Sequence, residues 1–109
     1  MNEISNVLSI IAYYFSEYNE KALEALGYST YKGAFTEISS TFGRENEYLK
    51  FRRDEFDALP ESSSSRVGFR NRQPTRYVVE VAAYLRKFSF SELTAIVRAL
   101  ISNEKSAFS

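Results

Sequence analysis

In the stretch ISNVLSIIAYYFSEYNEKALEAL, residues 4–26, the apolar side chains Ile4, Val7, Leu8, Ile11, Tyr14, Phe15 and Tyr18 recur at intervals of three and four. That spacing follows the 3.6-residue turn of an α-helix, not the two-residue alternation of a strand, and Ala22, Leu23 and Leu26 carry the apolar face onward. A helix with such a face is stable in water only when the face is covered, so the rest of the chain must supply the covering elements. Asn19, followed by Glu20, is a candidate cap that would divide the stretch into two helices near Tyr18–Asn19. Gly27 suits the left-handed position just past a helix end, which makes residues 27–30, GYST, a turn with Ser29 or Thr30 as the next cap.

The covering elements follow at once. YKGAFTEISSTFG (31–43) places Ala34, Phe35, Ile38 and Phe42 on one face and ends at Gly43. RENEYLKFRRDEFDAL (44–59) brings Tyr48, Leu49, Arg52, Phe56 and Leu59 near one another, puts Phe51 off that stripe, and stops at Pro60. Pro74 suits a helix's first turn, and Tyr77, Val78, Val81, Ala82 and Leu85 continue that helix to Lys87. Ser89 and Glu92 have capping-box spacing, and a last helix buries Leu93, Ile96, Val97, Leu100 and Ile101. The one local strand candidate, YVVEVAAYL, fits helical spacing better than alternation. The expected fold is all-α, a compact bundle of about five short helices forming a single domain over 1–109, with 61–73 as a basic connecting loop inside it.

Composition narrows the function. With 109 residues, 44% of them hydrophobic and 26% charged, two prolines and four glycines, the chain is about one folded domain long and is neither disordered nor fibrous. It contains no cysteine and no histidine, which removes disulfides, thiolate nucleophiles, zinc–histidine sites and histidine-based triads. No apolar run approaches the roughly 20 residues of a membrane helix, and MNEISNVLSI carries an acid where a signal peptide is basic, so the expectation is a cytoplasmic protein with no membrane partner. Asp54, Glu55 and Asp57 form the densest carboxylate group. Asp54 and Asp57, three apart on a helix, could face one cation, but next to Arg52 and Arg53 they more simply form ion pairs. GxGxxG, Walker A, GxSxG and HExxH strings are all missing. No catalytic residue, metal or cofactor is expected.

The 14 basic and 14 acidic residues cancel, yet they are unevenly placed. Residues 1–65 hold six basic against eleven acidic side chains, whereas 66–109 hold eight against three. In RVGFRNRQPTR, Arg66, Arg70, Arg72 and Arg76 fall within eleven positions that contain no acid. A field follows the distribution of charge and not its sum, and arginine makes directed hydrogen bonds to phosphate, carboxylate or a base edge. Solvation of a loop, or clamping of acidic helix ends, would use the same residues. Among eight tyrosines and nine phenylalanines, Phe15, Phe35, Phe42 and Phe56 read as core. Tyr13, Tyr14 and Tyr18 are candidates for a protein interface on the first helix, with ordinary packing as the alternative.

Residues 34–56, AFTEISSTFGRENEYLKFRRDEF, have the proportions of a helix-turn-helix pair. In that arrangement Arg44, Asn46 and Lys50 are the groove-facing candidates at the start of the second helix, with phosphates held by flanking cations. The candidate nucleic-acid-binding set is completed by Arg53, Arg66, Arg70, Arg72 and Arg76. Glu45 and Glu47 beside the readers would repel phosphates.

The run YLKFRRDEFDALPESSSSRVGFRNRQPTR, preceded by LGYSTYKGAFTEISSTFG, resembles the small helical region at the N-terminus of some bacterial restriction and phage-defence endonucleases of the HNH type. The matching positions are Leu26, Gly27 and Tyr28, then Asn46, Leu49, Lys50 and Arg53–Asp57, and finally Arg66, Gly68, Phe69, Arg72, Pro74 and Arg76, so the resemblance covers roughly residues 22–80. The Ser62–Ser65 run departs from the pattern's asparagine- and lysine-containing linker, and the HNH histidines are missing. The resemblance therefore implies a separate recognition domain, or a relative without the nuclease: a DNA-binding module of a bacterial defence or regulatory system. Its expected partner is double-stranded DNA, with a homodimer or a nuclease or other defence protein as further partners. The alternative is a protein-interaction or dimerisation module that meets an acidic or aromatic-lined surface.

Overall fold

A computed structural model describes residues 3–59 and 75–107. These form six helices: α1 (Glu3–Tyr18), α2 (Glu20–Leu26), α3 (Tyr31–Thr41), α4 (Tyr48–Asp57), α5 (Arg76–Leu85) and α6 (Phe90–Ala107). The fold is all-α, with no strand among the described residues, and the count is six where about five were expected. The extra helix arises at Asn19, whose backbone (φ 55, ψ −124) leaves the right-handed helical region. Its carbonyl accepts from the Ala22 and Leu23 N–H groups and so starts α2, while its side chain makes no capping bond. The expected loop at 61–73, with Arg66, Arg70 and Arg72, lies outside the described residues.

Local chemistry accounts for most helix ends. Gly27 (φ 83) and Gly43 (φ 73) take the left-handed conformation that side chains disfavour. Around them, Tyr28 N–H donates to Leu23 O (3.0 Å) and Arg44 N–H to Ser39 O (2.8 Å), so α2 and α3 both end in the six-to-one bond of a Schellman motif. Thr30, and not Ser29, caps α3 by accepting from Gly33 N–H at 3.0 Å, and Thr75 caps α5 by accepting from Val78 N–H at 3.3 Å. Ser89 and Glu92 close the expected capping box at α6 through bonds of 3.1 and 2.8 Å.

The start of α4 is different. The expected helix opened at Arg44, but residues 44–47 form the turn and α4 opens at Tyr48. The side chain of its N-cap residue, Glu47, makes no capping bond. The buried Ser39 hydroxyl of α3 instead accepts from Leu49 N–H at 3.2 Å, so an amide that α4 leaves open is closed by the preceding helix.

α1 is the axis of the core. Leu8, Ile11, Ala12, Tyr14 and Phe15 are fully enclosed. α4 packs along α1, where Tyr13 meets Phe56 edge-on at 5.8 Å, and α3 contributes Phe35 against Phe15 at 5.1 Å. α5 and α6 cover the remainder with Val78, Ala82 and Leu85, and with Leu93, Val97 and Ile101. One continuous core thus draws on all six helices. Among the described residues, no helix is long and apolar enough to cross a membrane.

Burial, with the Glu17 charge adding to it, pushes the Tyr13 hydroxyl up to about 12, and burial with Glu37 beside it does the same to Tyr28. Unfolded tyrosines ionise near 10, so the folded state holds these protons more tightly than the unfolded chain. Stability is therefore expected to hold below pH ~10 and to fall as the pH rises toward 12. Thermal unfolding followed across that window should show the midpoint dropping, with phenolate absorbance of the native protein lagging that of the denatured chain. A midpoint flat from pH ~10 to 12 would contradict the buried tyrosines.

Candidate nucleic-acid interface on α3 and α4

The first halves of α3 and α4 face each other across an open groove of about 610 Å³. Tyr31, Lys32, Phe35 and Thr36 line it from α3, and Asn46, Glu47, Lys50 and Arg53 from the turn and α4. The first turn of α3, through Tyr31 and Lys32, and the N-cap residue of α4, Glu47, both contribute to its lining, so the starts of two helices border it. Lys32, Asn46 and Lys50 are exposed, and Glu47 is the groove's one carboxylate among the described lining residues.

Arg53 forms the floor. It is only 6% exposed, and its guanidinium lies 5.0 Å from the Phe35 ring and 5.6 Å from that of Tyr31. Its Nη2 donates to Asp54 Oδ1 at 2.9 Å, and its Nε lies 3.7 Å from Asp57 Oδ2. Asp57 also accepts a bond from the buried Ser16 hydroxyl of α1 at 2.6 Å. Lys50 Nζ reaches the outer Asp54 oxygen at 3.4 Å from the solvent side. The expectation that Arg53 contacts nucleic acid is therefore corrected: its donors are already directed at two interior carboxylates, because the helical stripe that buries Leu49 and Phe56 also carries position 53 inward. Asp54 and Asp57 likewise face arginine. No group of three or more metal-binding side chains occurs among the described residues.

The other expected residues divide clearly. Asn46 and Lys50 reach the α3–α4 groove, whereas Arg44 lies beside it, half-buried with its guanidinium 5.7 Å from the Tyr48 ring, in a neighbouring hollow that shares Asn46 and Glu47. Arg76 is exposed at the start of α5, where it pairs with Glu80 at 2.9 Å. Arg66, Arg70 and Arg72 lie outside the described residues. Tyr13 and Tyr14 do not form an interface: at 4% and 0% exposure they are core, Tyr13 against Phe56 and Tyr14 sharing a 2.7 Å hydrogen bond with Thr94 of α6. Tyr18 is half-buried with its ring 4.8 Å from Phe90. Tyr13, Tyr14 and Phe15 thus keep no free face, whereas Tyr18 retains partial exposure. Sequence reasoning missed Lys32, whose signal was its place in the first turn after a Thr30 cap.

No family model, curated protein or solved structure matches the chain. None therefore links it to HNH-type endonucleases, and the function has to be read from the groove itself.

The floor and the rim should respond differently to mutation. Arg53→Ala leaves Asp57 without its arginine and Asp54 with Lys50 alone, and is expected to lower the unfolding free energy by about 3–5 kcal/mol. Lys50→Ala removes a half-exposed charge from the rim and should cost about 0.5 kcal/mol or less. Urea unfolding of the two variants beside the parent chain tests this. Equal losses would show that Arg53 is not an interior anchor.

Proposed function

We propose that this chain is a double-stranded-DNA-binding module, non-catalytic by itself, which presents the N-terminal ends of α3 and α4 to the duplex. The observation that carries the reading is the convergence of Lys32, Asn46 and Lys50, from two helices and the turn between them, on one groove bordered by two helix N-termini. Lysines and helix N-termini are the ordinary contacts to backbone phosphates. In this reading Lys32 and Lys50 hold phosphates and set the register. Asn46 then offers its amide to the adenine edge, and Arg44 offers its guanidinium to guanine. Glu47 either accepts from a cytosine amino group or opposes the phosphates, and so tunes which base pairs are tolerated. Arg76 and the tract Arg66, Arg70 and Arg72 add phosphate contacts. A bacterial defence or regulatory setting follows from the resemblance of residues 22–80.

A protein-interaction module is the second reading. Among the described residues three large apolar side chains are exposed, Phe51 on α4 and Val79 and Tyr84 on α5, which phosphate binding does not require.

Fluorescence anisotropy of a labelled mixed-sequence duplex at ~50 mM and ~200 mM salt tests the first reading. Binding should be saturable and salt-sensitive, and Lys32→Ala and Lys50→Ala should each reduce the salt slope by about 0.9 on every duplex. Asn46→Ala should cost roughly 1–3 kcal/mol at one preferred base pair only, and Glu47→Gln should tighten binding to duplexes in general. If no saturable binding occurs at micromolar protein in ~50 mM salt, the DNA reading is wrong and the protein-interaction reading takes its place.

A further inference from the structure

The outer face of α5 carries two of the three exposed large apolar side chains among the described residues, and the α3–α4 groove uses neither. Val79 is 46% and Tyr84 58% exposed, and the small side chain of Ala83 lies exposed between them. Lys87 Nζ sits 4.0 Å over the Tyr84 ring, so this aromatic side chain is held ready at the surface by its neighbour. A mostly apolar groove of about 290 Å³ runs between α1 and α5, lined by Ile10, Tyr77, Val81, Tyr84 and Leu85, with Asn6 and Glu80 as its polar members.

The charges on this face have an order. Glu80 lies one turn before the Ala83–Tyr84 centre on the same side of α5, and Lys87, in the turn just past the end of the helix, lies on the other side of that centre with its Nζ over the Tyr84 ring. Such a pattern is complementary to itself only when reversed. In a parallel pair Glu80 would meet Glu80 and Lys87 would meet Lys87, whereas in an antiparallel pair each Glu80 meets the other copy's Lys87. Glu80 already pairs with Arg76, but its side chain is still 64% exposed and can accept a second cation.

We infer that a second copy of this chain packs antiparallel on α5, about a two-fold axis that passes between Ala83 and Tyr84. The small Ala83 lets the two helix axes approach closely, the two Tyr84 rings lie side by side, and each ring covers the other copy's α1–α5 groove. Two reciprocal Glu80–Lys87 pairs flank this centre, as in the self-matching interface of a two-fold dimer. The surface lies apart from the α3–α4 groove, and only Arg76, which pairs with Glu80, belongs to both readings. Arg52 of α4 has its guanidinium 5.8 Å from the Tyr77 ring of α5, whereas the adjacent Arg53 points to Tyr31 and Phe35 of α3, so α5 and the nucleic-acid groove occupy different sides of α4.

Sedimentation equilibrium of the full chain without DNA, from about 10 to about 200 µM at low salt, tests the dimer. The expected result is a concentration-dependent rise from 12.5 kDa toward twice that mass. Tyr84→Glu should leave a monomer with unchanged helical circular dichroism, since Tyr84 is exposed. Glu80→Lys and Lys87→Glu should each weaken association by at least about tenfold, and the two together should restore it by exchanging the signs of both pairs. A monomer throughout the range would overturn the inference, and so would a dimer indifferent to Tyr84→Glu or a double variant no tighter than the singles.

Discussion

Arg53 sits at the meeting point of three helices, with its guanidinium enclosed by the Tyr31 and Phe35 rings of α3 and its donors turned to Asp54 and Asp57 of its own helix. Asp57 passes the contact on to Ser16 of α1. A charge placed inside a small domain gives up its hydration, and only nearby charges and hydrogen bonds offset that loss. No buried side-chain polar atom among the described residues lacks a partner, so the cluster is closed. Its main consequence is orientation. An apolar stripe tolerates rotation of a helix about its axis, whereas a guanidinium that must meet two carboxylates and two rings does not. α4 is therefore held at one angle, with Leu49 and Phe56 inward and Lys50 and Phe51 outward.

Ser39 sets the position of α4 along its axis in the same way. Its hydroxyl closes the Leu49 amide, while its carbonyl accepts from Arg44 N–H at the Gly43 turn. One residue of α3 thus ends its own helix and begins the next. The turn between them is shaped from both sides, and Asn46 and Glu47 arrive at the mouth of the groove as a result. The groove depends on this arrangement: the turn that leads into α4 is delivered to its mouth by contacts that lie beneath the surface where a ligand would sit.

The charge distribution sorts itself by depth. In α4 the acidic and basic residues that looked equivalent in RRDEFD separate into an interior set, Arg53, Asp54 and Asp57, and an outer pair, Arg52 and Glu55, joined at 3.1 Å. The outer pair supports the helix modestly, as exposed ion pairs do. The interior set positions the helix. Identical side-chain chemistry thus serves two ends, and the difference is access to water.

The all-α class, the helix ends at Gly27 and Gly43, the cap at Thr30 and the Ser89–Glu92 box were legible in the chain, because each depends on groups within about one helical turn of one another; the Thr75 cap was not read, since Pro74 drew the expected helix start to itself. The places of Asn46 and Lys50 beside the start of α4 followed from the glycine break at Gly43, and both line the α3–α4 groove. The start of α4 at Tyr48 was not legible, because its cap comes from Ser39, ten residues earlier. Neither was the interior place of Arg53, nor the enclosure of Tyr13 and Tyr14, which periodicity left open between core and interface. Those outcomes required knowing how many neighbours surround each helix. Spacing along the chain identifies the apolar side of a helix, but whether the remaining sides meet water or another helix is decided only when all six are packed together.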